Sequence, residues 1–349
     1  MAAKSGGKNK QAWPGDDVLR KQLRSGDLGN LYVLFGSEDY LRESYLTLLR
    51  QKVLEGSEFD HHRFQGEDLE LSQVIAAVQT PPFLSPRTMV ELWDFDPFKA
   101  REAAREDLIA LLDSLPEDCC LVFVFDQQTY NPDRRLKKLA AAMDKARVFE
   151  FTQPSETQLA GWIARHFKEA GKTIDREQCR YLSFLTGASM TRLNQEIEKV
   201  AAYAQDQQIT RADIDAVVTP VLEAGAFDMV DQVSKGAFDQ ALIKLRELYQ
   251  LEVKPIPILG ALGYQLRRLY GARLLLDAGQ GDGAVKDRYH LGDYAARMLV
   301  QAARRFSAPW CAKALVLLAQ TDYRLKTSYG DEEQQLELLL LLLAQEAKA

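Results

Sequence analysis

The sequence predicts an α/β domain followed by an all-α region, and three observations carry that reading. Between Leu31 and Phe151, short runs rich in Val, Leu and Phe alternate with longer segments of helical period. After Phe151 the strand pattern stops, and amphipathic helical stripes continue to the C-terminus. At 349 residues the chain exceeds the size at which a single core keeps growing, so two or three domains are expected.

Taken in order, the expected strands are Leu31 to Phe35, a weaker one near His61 to Phe64, Met89 to Trp93, Leu121 to Phe125 and Val148 to Phe151. Helices fill the gaps. Leu41, Tyr45, Leu48 and Leu49 share one helical face, as do Leu71, Val74, Ile75 and Val78. Leu108, Leu111 and Leu112 form the next stripe, then Leu136, Leu139 and Met143. Such alternation implies a mainly parallel sheet covered on both faces.

Beyond Thr152 every element is expected to be helical. Ser155 with Gln158 forms a capping box ahead of Leu159, Trp162, Ile163 and Phe167, and Gly171 supplies the stop. A second helix carries Tyr181, Leu182 and Leu185 up to Gly187, and a third carries Leu193, Ile197 and Val200. Thr210 with Asp213 opens a short fourth, and Thr219 and Pro220 break the pattern. Long helices follow, with stripes at Ala241, Leu245 and Leu248, at Ile258, Leu262, Leu266 and Leu269, at Met298, Leu299, Ala302 and Phe306, and at Ala314, Leu317, Leu318 and Leu325. The run Leu338 to Leu343 is unbroken leucine, too short to span a bilayer, and is expected to be a buried helix. Either an oligomeric contact or a monomer interior would cover it.

Composition narrows the function classes. Apolar residues make up 46% and charged residues 27%, near the average for soluble globular domains. The net charge of −6 gives no general attraction to phosphate backbones, so any DNA contact must be a local patch. Cys119, Cys120, Cys179 and Cys311 lack the paired spacing of a zinc site and are expected to be free thiols in a reducing cytosol. The stretch Met1 to Lys10 is polar and glycine-rich, and is expected to be a loose tail rather than a signal peptide.

Enzyme chemistry finds little support. After the first strand, where a phosphate-binding loop would sit, the chain reads Gly36, Ser37, Glu38, Asp39, with one glycine and no lysine. The two carboxylates suit the helix dipole and would repel a phosphate. Asp126, at the end of the Leu121 strand, is expected to cap the next turn. His61, His62, His166 and His290 have no partner at metal or triad spacing, and His166 is expected at a core boundary. No catalytic residue, metal site or cofactor is expected.

One segment stands apart: Thr80, Pro81, Pro82, Phe83, Leu84, Ser85, Pro86, Arg87. Prolines on both sides fix φ and remove N–H donors, so an extended, stiff apolar tip is expected. Phe83 and Leu84 would either wedge into a groove on another protein or fold back onto their own sheet.

The chain resembles the delta subunits of bacterial DNA polymerase III clamp loaders. The resemblance is carried by Leu31 to Glu43, Thr80 to Arg87, Gly187 to Tyr203, the segment from Phe227, Gln265 to Arg268 and Thr321 to Thr327, over about Asn30 to the end. It implies a degenerate AAA+-like parallel-sheet domain, a small helical lid and a helical collar, and it tips the balance toward the wedge. The expected divisions are a flexible extension at 1–29, the AAA+-like domain at 30–151, the lid at 152–218 and the oligomerisation collar at 219–349.

By the same resemblance, Pro82, Phe83 and Leu84 would enter an apolar pocket of the ring-shaped sliding clamp (beta) and help to open it. The family's usual order is a small residue, Leu, then Phe; here the pair is reversed. The implied partners are delta-prime, the ATP-hydrolysing tau or gamma subunits, and primer-template DNA inside the assembled complex, with no membrane. The chain itself would be non-catalytic within a DNA-directed DNA polymerase holoenzyme in the cytoplasm. Arg267, Arg268, Arg304 and Arg305 are candidate DNA or collar contacts beside the plainer reading of a solvated face. An active AAA+ NTPase and a helical scaffold of a replication or repair complex are the alternative functions.

Overall fold

The computed structural model describes residues 15–66, 69–187, 189–327 and 331–348. The tail expected at Met1 to Lys10 lies outside the described residues. The chain divides into two compact units, Met1–Gln153 and Pro154–Ala349.

The first unit runs α1 (Asp16–Ser25), β1 (Leu31–Gly36), α2 (Asp39–Leu54), β2 (His61–Gln65) and α3 (Leu71–Gln79). It continues with β3 (Thr88–Trp93), α4 (Glu102–Asp113), β4 (Cys119–Val124), α5 (Lys137–Met143) and β5 (Arg147–Phe151). All neighbouring strands pair in parallel, in the order β2-β3-β4-β1-β5. Each strand expected from the sequence is present. The extension expected to be loose through residue 29 is not loose over Asp16–Ser25, where Leu19 and Leu23 are buried and α1 packs on α2.

Alternation along each strand sorts side chains to two faces. Leu31, Val33, Phe35, Val90, Leu92, Leu121 and Phe123 face α3, α4 and α5, and form one cluster with Val74, Val78, Leu108, Leu112 and Met143. Their alternating neighbours Tyr32, Leu34, Met89, Val122 and Phe149 are buried too, on the side of α2. In α2 itself, Leu41, Tyr45, Leu46 and Leu49 are buried; Leu48, expected on that face, points to water. The reason is angular: at 3.6 residues per turn Leu48 lies to one side of Tyr45, whereas Arg42, Leu46, Leu49 and Val53, all buried, lie to the other.

One fully buried charged residue shares the α2 side of the sheet. Glu91 is fully buried in β3, where it accepts from Arg50 Nε at 2.9 Å and from Trp93 Nε1 at 2.9 Å, with His61 Nε2 at 2.9 Å. Burial pushes its carboxyl up, but the His61 and Trp93 hydrogen bonds and the Arg50 charge outweigh burial and hold it below the usual range.

The second unit runs α6 (Glu156–Glu169), β6 (Thr173–Ile174), α7 (Arg176–Thr186), α8 (Met190–Tyr203), β7 (Gln208–Ile209) and α9 (Arg211–Val217). Then come α10 (Leu222–Ser234), α11 (Phe238–Gln250), α12 (Pro255–Asp277), α13 (Asp282–Tyr289), α14 (Asp293–Arg305), α15 (Ala308–Thr327) and α16 (Glu332–Lys348). Both capping boxes formed as expected, at Ser155 with Gln158 and at Thr210 with Asp213. The expectation of helices alone is corrected by β6 and β7, which pair in parallel over two residues each. So short a ladder leaves no periodicity to read.

Helices α10 to α16 share one apolar cluster, including Phe227, Leu245, Leu262, Leu299, Trp310 and Leu343. The leucine run is not covered on every side. Leu339, Leu340 and Leu343 are buried, whereas Leu338 and Leu341 face out, so the chain's own interior covers only part of it. His166 is half-buried, its ring against that of Trp162 at 3.8 Å between centroids and tilted by 32°. The four cysteines are free and buried, and burial pushes the thiols of Cys119, Cys120 and Cys179 up to about 12. Among the described residues no helix is long and apolar enough to cross a membrane.

Replacing Glu91 by Ala should lower stability by about 3 kcal/mol, the low end for breaking a buried ion pair, because Arg50 keeps about a quarter of its side chain in water. Urea unfolding of wild type beside Glu91→Ala measures it; an unchanged midpoint would show that the ion pair contributes nothing.

Candidate functional site

Two places in the first unit drew attention in the sequence, and the parallel sheet sets them at opposite edges. Ser37 and Glu38 leave the carboxyl end of β1, whereas the loop from Thr80 to Arg87 enters the amino end of β3. In open parallel sheets small ligands bind beyond the carboxyl ends of the strands.

At that carboxyl edge the turn is tight. Only Ser37 and Glu38 separate β1 from α2, too few residues to wrap a polyphosphate. Gly36 has φ +132°, and a Cβ there would lie 2.0 Å from the Phe151 carbonyl oxygen. Glu38 N–H donates to the same oxygen at 3.1 Å, tying the turn to the end of β5. Burial pushes the Glu38 carboxyl above its usual range.

The space beside the turn is filled by Arg42, whose side chain is fully buried. Its Nη1 donates to Gly36 O and to Asp39 Oδ1, each at 3.0 Å, and its Nη2 to Asp126. This corrects the role expected for Asp126. Its carboxylate takes the guanidinium, while the carboxylate of Asp94 receives the N–H groups of Asp126 and Gln127 at 2.8 and 2.9 Å. The Asp39 carboxylate at the α2 start, with that of Asp126, therefore acts as a partner of a buried cation.

At the amino edge the apolar tip stands in solvent. Phe83 is 76% and Leu84 63% exposed, so neither folds back onto the sheet. Pro82 is half-buried at the base. The loop is not extended, and its prolines are not what ties it down. Phe83, Leu84 and Ser85 donate their backbone N–H groups to the Asp60 carboxylate at 2.8, 2.8 and 2.7 Å. In an extended strand consecutive N–H groups point to alternate sides; here the backbone curls so that all three converge on one anion, as in a nest.

Asp60 is buried immediately before β2. Burial pushes its carboxyl up, but the hydrogen bonds from Phe83, Leu84 and Ser85 prevail and hold it below the ordinary aspartate range. The backbone carbonyl of Asp60 accepts from Met89 N–H at 2.9 Å, the bond that opens the β2–β3 ladder. The base is cinched twice more: Thr88 Oγ1 donates to Thr80 O at 3.2 Å, and Arg87 Nη1 donates to Gly29 O at 3.0 Å.

Sequence reasoning missed Asp60, Arg42 and Phe59. Phe59 is 66% exposed, and its ring lies 5.6 Å from that of Phe83 at 48°. A signal for Asp60 did exist: once His61 to Phe64 and Met89 to Trp93 are taken as adjacent parallel strands, the residues entering each strand must be neighbours. The four arginines lie in the second unit. Arg304 pairs with Asp282 at 2.9 Å and Arg305 with Asp231 at 3.0 Å. Arg268 is half-buried between Tyr264 and Tyr289, and Arg267 is exposed. The structure does not gather them at the apolar tip's unit.

Replacing Asp60 by Ala should free the amides of Phe83, Leu84 and Ser85, raising their mobility in NMR relaxation while the sheet amides stay rigid. In wild type the depressed carboxyl means that the tip is ordered at neutral pH and loosens as pH falls through the Asp60 pKa. The three amide shifts should titrate together with a midpoint below that of an ordinary aspartate. Separate midpoints, or none, would refute the shared carboxylate.

Two family models match the chain: that of the DNA polymerase III delta subunit over residues 32–152, and that of the delta C-terminal domain of the same polymerase over residues 223–343. The DNA polymerase III subunit delta of Bacillus subtilis (strain 168) is 26% identical over 331 residues, covering 93% of this chain and 95% of that relative. Its counterpart from Escherichia coli (strain K12) is 23% identical over 330 residues, covering 94% and 95%. Among solved structures, the Bacillus subtilis DNA clamp loader delta protein superposes with a TM-score of 0.61 at 22% identity, covering 95% of this chain and 99% of that one. That likeness is one of fold; with most of its length matched by the two models, the chain belongs to the DNA polymerase III delta subunit family.

Proposed function

We propose that this chain is the clamp-gripping subunit of a replication clamp loader, that it docks on the sliding clamp through Phe83 and Leu84, and that it helps to open the ring. The observation that carries this reading is the tip: two large apolar side chains mostly in solvent, on a loop held by three hydrogen bonds to one buried carboxylate. A tip ordered before contact loses little conformational freedom on binding, which favours insertion into an apolar pocket. The relative whose structure matches is named as a DNA clamp loader delta protein, which agrees with this role.

In this reading the subunit hydrolyses no nucleotide. The β1–α2 turn spans two residues, and Arg42 fills the space beside it, so Gly36, Ser37, Glu38 and Asp39 are a degenerate nucleotide site. ATP-driven work then falls to neighbouring subunits of the delta-prime and tau or gamma kinds. The helices from residue 219 onward form the collar that joins them, with 152–218 as a lid. Exposed Val316, Tyr323, Leu338 and Leu341 on the packed pair α15 and α16 offer an apolar face to neighbouring collars. Primer-template DNA would enter the assembled chamber, where Arg267, Arg304 and Arg305 are the exposed candidates among the four arginines, the last two already paired with Asp282 and Asp231.

Burying Phe83 and Leu84 is worth ~1.5–3 kcal/mol each. The Phe83→Ala/Leu84→Ala double variant should therefore weaken clamp binding by at least about a hundredfold in a direct titration. Equal dissociation constants for variant and wild type would remove the docking assignment. Purified protein should turn over no ATP; hydrolysis abolished by Ser37→Ala or Asp126→Asn would favour the NTPase reading instead.

A further inference from the structure

Three of the four most exposed large apolar side chains among the described residues stand at one corner of the first unit. They are Phe83, Phe59 and Leu84; the fourth, Tyr323, lies in the other unit. Phe83 and Leu84 belong to the tip, whereas Phe59 comes from a separate loop, between α2 and β2. The two loops are joined by Asp60, which follows Phe59 in sequence and binds the tip amides. Whatever positions the tip therefore positions Phe59 as well.

We infer that Phe59 is a third docking residue, which enters the clamp interface beside Phe83 rather than serving only as a support for it. This rests on the clamp-gripping reading above. The two rings meet at 5.6 Å and 48°, a tilted contact that hides one side of each. About two-thirds of Phe59 still faces water, more than a residue placed only to brace its neighbour would leave exposed. Single exposed hydrophobics are ordinary on soluble proteins, but a contiguous group with a polar border marks an interaction surface. The border is present here in Ser57, Glu58 and Ser85. A partner accepting Phe83 and Leu84 in a pocket must then offer a flat apolar ledge next to that pocket for the Phe59 ring. The clamp is the occupant because the surface is continuous with the tip that grips it.

The test is a set of titrations of the full chain against the sliding clamp, with wild type, Phe59→Ala, Phe83→Ala, Phe59→Ala/Phe83→Ala and Phe83→Ala/Leu84→Ala. Phe59 is mostly exposed, so Phe59→Ala should melt at the wild-type temperature, and Phe59→Leu should retain most of the binding. Phe59→Ala should weaken binding roughly tenfold, the size expected for an aromatic contact at an interface. The Phe59→Ala/Phe83→Ala protein should bind more weakly still than Phe83→Ala. Wild-type affinity in Phe59→Ala, with Phe83→Ala/Leu84→Ala weakened, would overturn the inference and leave the clamp-gripping reading intact. A Phe59→Ala loss that vanishes in the Phe83→Ala background would reduce Phe59 to a support and overturn the inference. No loss in Phe83→Ala/Leu84→Ala would overturn both.

Discussion

The arrangement of the apolar corner formed by Phe59, Phe83 and Leu84 depends on one anion. The Asp60 carboxylate is buried, is held charged by three backbone N–H donors, and lies one residue after Phe59. Buried charge without compensation is costly, so the loop and the carboxylate constrain each other: neither is stable in this position without the other. Proline can only limit its own φ and that of the residue before it. A shared acceptor does something prolines cannot, because it fastens a loop to the body of the fold and fixes which way its side chains leave.

The sheet supplies the reason why Asp60 is there. Parallel pairing of β2 with β3 aligns His61 with Met89, so the residues just ahead of each strand are neighbours at one edge. The opposite edge has been closed by a different device. Gly36 allows the turn to approach Phe151 too closely for any side chain, and Arg42 fills the remaining space with Asp39 and Asp126 as counter-charges. The edge at which such folds usually hold ligands is thus sealed, and the edge that is usually only connective carries the exposed apolar group.

The second unit follows simpler rules. Helices α6 to α9 begin at the side-chain caps Ser155, Asp175, Ser189 and Thr210, and α7 ends at Gly187 in the left-handed region. Their stripes merge into a continuous apolar cluster from α10 to α16. Outside that cluster α15 and α16 leave four large apolar side chains, Val316, Tyr323, Leu338 and Leu341, exposed among charged neighbours.

By itself, the sequence determined the five strands of the sheet, most of the helices and both capping boxes, the shortness of the turn after β1 and the presence of an apolar loop between prolines, though not α1. These are legible because they depend on period, propensity and capping, all within a few residues. Only the tertiary structure decided that Asp60 holds a loop 23 to 25 residues away, that Arg42 binds an acid 84 residues away, and that Phe59 joins Phe83. Those contacts are set by which strands become neighbours, and a chain pattern of period two or 3.6 carries no record of strand order. The leucine run shows the same limit: composition marked it as buried, and packing decided that Leu338 and Leu341 would face out.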